Sequence, residues 1–101
     1  MNKEFVGKTI NFEYEGFVVN DTFDETHIHY EVLEGPFKGL SGKVEYTAKQ
    51  ISEGVYAISW QEDDGATVTH VDDFNKGTSL SFFTAADLSF YRMEGKLSQV
   101  N

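Results

Sequence analysis

The sequence predicts an all-β protein, an eight-stranded antiparallel up-and-down barrel that forms one domain over residues 1–101. Short segments rich in β-branched and aromatic residues follow one another, and each is ended by Gly, Asp, Asn or Pro. No segment has the periodicity of a long amphipathic helix. Aromatic residues make up 15% of the chain, including nine phenylalanines, as expected of a curved sheet that fills its interior with rings. At 101 residues the chain has room for one core.

The strand nearest the N-terminus alternates most clearly, with Ile10, Phe12 and Tyr14 on one face. Two-residue connections such as Glu15-Gly16 and Glu53-Gly54 force antiparallel hairpins. Closing hairpin-linked strands into a barrel removes exposed edges, although turn spacing leaves a two-sheet sandwich open as the alternative. We expect strands at residues 7–15, 17–23, 27–34, 43–52, 55–62, 66–73, 78–85 and 88–100.

The composition excludes several classes of partner and location. With 17 acidic against 8 basic residues and a net charge of -9, the chain repels nucleic acid and anionic membrane surfaces. It has no cysteine, so disulfides and thiolate metal sites are impossible. The N-terminus has no apolar run of signal-peptide length, and no eighteen apolar residues occur together. We therefore expect a cytoplasmic protein without nucleic acid or membrane partners.

The most informative stretch lies at residues 55–62, where Tyr56, Ile58, Trp60 and Glu62 share one strand face. If that face lines the barrel interior, its aromatic surroundings desolvate the Glu62 carboxyl and raise its pKa toward neutrality. This pattern predicts a site that contains Glu62.

Three phrases of the sequence resemble a known family of small proteins. They are YEVLEGPF at residues 30–37, EGVYAISWQE at 53–62 and VDDFNKG at 71–77, and they look like the MoaF-like group over most of the chain. The resemblance implies a lipocalin-like, or calycin, barrel that is often dimeric. A homodimer is therefore an expectation of the resemblance alone.

The first half of bacterial phenolic acid decarboxylases is a more distant resemblance, carried by residues 5–14 and 53–62. Those enzymes use two tyrosines spaced by one residue, an arginine after a glycine-containing loop, and a glutamate after a Ser-Trp pair. Tyr14 and Glu62 match the second tyrosine and the glutamate, whereas Phe12 and Leu40 stand where the first tyrosine and the arginine would be. Because leucine cannot bind a carboxylate as arginine does, we do not expect decarboxylation of an anionic phenolic acid.

Glu62 and Tyr14 are the leading catalytic candidates, with Glu62 transferring a proton and Tyr14 orienting the reacting group. The alternative is a solvated strand-end charge and a core ring. His70 and Asp72 alternate on the neighbouring strand, where they either share an interior with Glu62 or form an exposed polar stripe. Arg92 either replaces the missing arginine or makes an outward salt bridge.

Metal binding is not expected. His27, His29 and Glu31 share one strand face, but side chains two apart on a strand are roughly 7 Å separated, which is wide for ligands about 2 Å from one metal. The acids at Asp21 and Asp24 do not match the EF-hand spacing. No motif indicates a cofactor.

Three functions remain open. The first is a barrel that binds a small apolar or aromatic molecule, the second is a cofactor-free lyase or isomerase, and the third is a structural dimer module with a filled interior. Ligand pockets combine apolar walls with a few placed polar groups. The residues expected to line the interior are Phe12, Tyr14, Tyr30, Ile58, Trp60, Glu62, His70, Leu80 and Phe82.

Overall fold

The computed structural model describes residues 3–100, which form one curled sheet of nine antiparallel strands in the order β4-β3-β2-β1-β9-β8-β7-β6-β5. The predicted antiparallel up-and-down fold is confirmed, and the single sheet rules out the two-sheet alternative. Within residues 3–100, no helix has the length and apolar character needed to cross a membrane. The strands are β1 (Thr9–Tyr14), β2 (Phe17–Phe23), β3 (His27–Glu34), β4 (Ser41–Glu45), β5 (Thr47–Ser52), β6 (Val55–Gln61), β7 (Thr67–Asp73), β8 (Thr78–Thr84) and β9 (Phe90–Val100).

The single strand predicted at residues 43–52 is wrong, because the chain turns a corner at Tyr46 and forms two strands there. The Tyr46 N–H donates to the carbonyl of Thr26 at 3.0 Å, and its hydroxyl donates to the carbonyl of Asp24 at 2.7 Å. Its buried ring lies 5.5 Å from that of Phe23. β4 therefore pairs with β3 and β5 with β6, so the hydrogen-bonded sheet has two ends that meet at this corner.

One end of the barrel is filled by the ring of Phe5, which is 1% exposed. Ring centroids lie 4.7 Å away for Phe23, 5.1 Å for Tyr56 and 5.8 Å for Phe74. The segment that carries Phe5 is fixed to the sheet by the Gly7 N–H, which donates to the carbonyl of Phe23 at 2.8 Å. The contacts with Phe23 and Tyr56 are edge-to-face and the contact with Phe74 is stacked, and aromatic pairs of both kinds add stability beyond the area that they bury.

Alternation along β1 places Ile10, Phe12 and Tyr14 inside, as predicted. The interior position predicted for Leu80 and Phe82 is wrong. Ser79 and Ser81 are the buried residues of β8, whereas Leu80 is 40% exposed, and period-two alternation puts Phe82 on the outer face with it. On this inner side the Ser79 hydroxyl makes hydrogen bonds with Tyr14 and Asp72, so a buried polar group of β8 has partners inside the barrel.

Candidate functional site

A cluster of ionisable and hydroxyl side chains lies inside the barrel, contributed by β1, β2, β7 and β8. The Ser79 hydroxyl donates to Asp72 Oδ1 at 2.6 Å. The Tyr14 hydroxyl lies 2.7 Å from Ser79 Oγ and donates to it, since the one proton of Ser79 is already directed at Asp72. His70 Nδ1 lies 3.4 Å from Asp72 Oδ2. Within the described residues, Asp72 Oδ2 is a fully buried oxygen without a hydrogen-bond partner.

Burial determines the protonation of this cluster. It raises the pKa of the Asp21 carboxyl to about 7, an effect that His70 opposes and Asp72 reinforces. Burial also raises the pKa of the Tyr14 hydroxyl above its ordinary value. Tyr14 therefore keeps its proton at neutral pH, and Asp21 exchanges a proton in the neutral range. The buried cluster therefore contains one hydroxyl that stays protonated, on Tyr14, and one carboxyl that can donate or accept a proton at neutral pH, on Asp21.

His70 sits in an aromatic shell that connects this cluster to the outside. Its ring centroid lies 5.0 Å from that of Phe12 and 5.2 Å from that of Trp60. Trp60 is half-buried, and its Nε1 donates to Glu62 Oε2 at 3.3 Å. A row of contacts therefore runs from buried Asp72 through His70 and Trp60 to Glu62.

Glu62 stands at the seam where the sheet's two ends meet. The β5–β6 ladder ends at the pair Thr47 and Ser59, whereas β6 continues to Gln61, so the end of β6 faces the free edge of β4. Two adjoining clefts of about 450 and 550 Å³ open along this seam. The larger is lined by His27, Tyr30, Lys43, Val44, Glu45, Gln61, Glu62, Asp63 and Asp64, and the smaller by Glu45, Tyr46, Thr47, Ser59, Trp60, Gln61, Thr67, Val68 and Thr69.

The larger cleft is predominantly acidic, with Lys43 as the one lysine in its wall. Burial raises the pKa of the Tyr30 hydroxyl, and the charges of Glu62 and Asp63 raise it further. Tyr30 therefore remains a hydrogen-bond donor at the inner wall. In the β2–β3 ladder Tyr30 is paired with Asp21, so this wall, like that of Trp60, adjoins the buried cluster.

Seven of the nine residues predicted for the site fall into three places, and the other two, Leu80 and Phe82, lie on the outer face of β8. Tyr30, Trp60 and Glu62 lie at the seam, and Tyr14 and His70 lie in the buried cluster. Phe12 and Ile58 are fully buried and pack as core. The predicted catalytic pair is divided between two groups, since Tyr14 is bonded to Ser79 and Glu62 to Trp60.

Asp21 and Ser79 are the members of the cluster that sequence reasoning missed. The alternation of Asp21 with Val19 and Phe23 on β2 was a usable signal, because an acid in phase with two apolar residues shares their buried face. Ser79 and Ser81 gave no such signal, since serine is common on exposed faces.

The histidines of β3 lie on its outer side. His29 Nε2 lies 3.1 Å from Asp24 Oδ2 with both side chains about half exposed, and His27 Nδ1 lies 2.7 Å from Thr26 Oγ1. Within residues 3–100, no three His, Cys, Asp or Glu side chains are grouped so that they could hold a metal.

The sequence profile of the family described as MoaF-like matches residues 6–98. The chain belongs to the MoaF-like family. A crystal structure described as "a putative beta-lactamase from Burkholderia vietnamiensis" has 45% sequence identity and a TM-score of 0.95 over 99% of each chain. A search of curated proteins found no match. The more distant resemblance to phenolic acid decarboxylases finds no support in these comparisons, so this MoaF-like chain is assigned a family but not a reaction.

Proposed function

We propose that this MoaF-like protein binds a small aromatic molecule at the seam between β4 and β6. The observation that carries the proposal is the pair of adjoining clefts, about 450 and 550 Å³, whose walls include Trp60, Tyr30 and Glu62. Volumes of this size are typical of small-molecule sites. The aromatic walls offer stacking surfaces, and the Tyr30 hydroxyl and the Glu62 carboxylate offer one donor and one acceptor.

The charges at the seam restrict the ligand class. Glu45, Glu62, Asp63 and Asp64 all line the larger cleft, and carboxylates at this spacing repel an anion. The ligand is therefore neutral or cationic, such as a phenol or an aromatic amine. A cation placed over an aromatic ring gains further attraction from the ring's quadrupole.

A fluorescence titration tests this proposal, because Trp60 is the one tryptophan of the chain. Phenol, phenethylamine and benzoate form a series of similar size with neutral, positive and negative charge. We expect saturable quenching by the first two and the weakest binding by benzoate. Glu62→Gln should weaken amine binding about tenfold, equivalent to about 1.4 kcal/mol. The matched control is Asp87→Asn, which removes a charge from an exposed turn. Absence of saturable binding for all three compounds would refute the proposal.

One observation favours an acid-base enzyme as a second candidate function. His70 is 5% exposed, and its Nδ1 lies 3.4 Å from Asp72 Oδ2, a buried oxygen that accepts no hydrogen bond within the described residues. A histidine beside a buried carboxylate is suited to proton transfer. In this version a cofactor-free lyase or isomerase would use His70 and Glu62, with His70 taking the place of Tyr14. The enzyme hypothesis would be favoured if the wild type consumes a bound aromatic molecule and His70→Gln still binds that molecule but no longer consumes it.

Hydrolysis of a β-lactam is not proposed. The sequence contains no Ser-x-x-Lys of the serine enzymes, and the described residues hold no three-residue metal-ligand group. The β-lactamase description of the Burkholderia protein therefore has no matching group of catalytic residues among the described residues of this chain.

A further inference from the structure

One edge of β4 has no strand beside it within residues 3–100. β4 is the last strand in the order of the sheet, and it pairs with β3 alone. An unpaired edge presents N–H and C=O groups to a neighbouring chain, and a proline or a β-bulge blocks pairing at such an edge. The five residues of β4, Ser41–Glu45, include no proline, and their ladder with β3 has no bulge. This edge can therefore accept another strand.

Two hydrogen bonds determine which backbone groups of β4 point to the seam. The Val32 N–H donates to the carbonyl of Leu40 at 2.9 Å, and the Tyr46 N–H donates across the same ladder at 3.0 Å. Since bonded and non-bonded residues alternate in an antiparallel ladder, every second residue from 40 to 46 bonds to β3. The intervening residues direct their N–H and C=O groups at the seam, and they are Ser41, Lys43 and Glu45.

Gln61 faces this edge from the end of β6. The Glu62 N–H donates to the carbonyl of Ala66 at 2.8 Å, in the register that pairs β6 with β7. By the same alternation the N–H and C=O groups of Gln61 point away from β7, and the β5–β6 ladder has already ended at Ser59. Backbone donors and acceptors therefore lie on both sides of the seam.

The side chains at the seam favour a segment that is basic and aromatic. Lys43 is the one lysine in the wall of the larger cleft, where carboxylates predominate. These carboxylates belong to Glu45, Glu62, Asp63 and Asp64. Lysine and arginine side chains are attracted to such a wall, whereas a second copy of this chain, with its net charge of -9, is repelled from it. Trp60 and Tyr30 add ring surfaces to the clefts.

We propose that the seam binds an extended peptide with basic and aromatic side chains, which adds to β4 as a further strand. This partner rests on the function proposed above, since the aromatic group that Trp60 and Tyr30 bind becomes a side chain of the peptide. In strand addition, main-chain hydrogen bonds supply affinity and alternate side chains supply specificity. Aromatic residues of the added strand then face Trp60 and Tyr30, and the bases between them face outward near Glu45.

Two short peptides and the full chain test the proposal. The probe is acetylated and amidated Lys-Phe-Lys-Phe-Lys, whose five residues match the length of β4, and the control is Glu-Phe-Glu-Phe-Glu. In isothermal titration calorimetry we expect a Kd of about 100 µM or tighter for the basic peptide and binding at least about tenfold weaker for the acidic one. The basic peptide should also slow amide hydrogen exchange at Lys43 and Glu45 about tenfold or more, whereas phenethylamine, which has no backbone, should not.

A substitution at Lys43 separates the backbone from the side chain. Lys43→Pro removes the N–H that points to the seam and leaves the bonds to β3 in place. Lys43→Ala is the matched control, because it loses the same charge but keeps the N–H. We expect the basic peptide to bind Lys43→Pro at least about tenfold more weakly than Lys43→Ala. If circular dichroism shows that Lys43→Pro does not fold, a probe methylated at every backbone nitrogen makes the same comparison on the wild type.

The outcomes distinguish this proposal from the one on which it rests. Binding of phenethylamine without binding of the basic peptide would overturn the peptide partner and leave the aromatic site standing, whereas binding of neither would refute both. Equal affinity for the two peptides, or equal binding by Lys43→Pro and Lys43→Ala, would also overturn it. Slower exchange at Lys43 and Glu45 as the concentration of peptide-free protein rises would identify a second copy as the occupant instead.

Discussion

Replacing Asp21 by asparagine should raise the stability of the protein at neutral and alkaline pH. Burial raises the pKa of Asp21 from 3.8 to about 7, so the folded state keeps a proton that the unfolded chain releases between these pH values. Stability therefore falls as pH rises from about 4 to about 7, and it then levels off. A tenfold change in proton affinity is worth about 1.4 kcal/mol, so this loss is on the order of 4 kcal/mol, and Asp21→Asn removes it.

Urea denaturation of wild type and Asp21→Asn between about pH 5 and pH 8 measures this effect. The variant should gain on the wild type as pH rises to about 7, and the difference should then level off, because the folded protein releases the Asp21 proton near that pH. A stability difference that is the same at every pH would refute the reasoning. Asp24→Asn is the opposite control. Hydrogen bonds from the His27 and Thr26 N–H groups and from His29 hold the pKa of Asp24 below its ordinary range, so its contribution is present at neutral pH and is lost on acidification.

Two further substitutions probe packing and the buried network. Ser79→Ala removes the hydroxyl between Tyr14 and Asp72 and should lower the free energy of unfolding by about 2–3 kcal/mol. Ser98→Ala, at an exposed position of β9, is the control and should change it little. If urea denaturation gives equal effects for the two variants, the buried hydrogen bonds of Ser79 do not stabilise the fold. Gly95→Ala places a Cβ against the carbonyl oxygen of Glu13 and 2.6 Å from Tyr14 Cδ1, so we expect a loss of about 2–4 kcal/mol in the free energy of unfolding. An unchanged thermal midpoint would contradict the close packing of β9 on β1 at this position.

The sequence was sufficient for the fold class because turns and alternation are local. Strand β1 shows this, since Ile10, Phe12 and Tyr14 all lie inside as predicted. The corner at Tyr46 could not be predicted, because it depends on bonds to Thr26 and Asp24 from another part of the chain and has no Gly or Pro to mark it. Period two also fails to identify the inner face when the polar residues, here Ser79 and Ser81, are the buried ones.

The candidate site was predicted where one strand carries it. Trp60 and Glu62 are two residues apart, which predicts that they share one face, and in the structure a hydrogen bond of 3.3 Å joins them. The influence of His70 and Asp72 on Asp21 was not predictable, because β2 and β7 come near each other only when the sheet curls. A single sequence specifies which face a residue occupies on its strand, but the distance across a barrel follows from its curvature.

The order of the strands divides the barrel into two meanders, β1–β4 and β5–β9, that are joined in unequal ways. At β1 and β9 a ladder of six residue pairs connects them, whereas at the opposite side a single covalent corner does so. The β1–β9 ladder therefore acts as a hinge between the two meanders, and the seam between β4 and β6 lies on the side that can open. Motion that separates the meanders breaks no strand ladder at the seam, so we expect the clefts beside Trp60 and Glu62 to widen before any other part of the sheet opens.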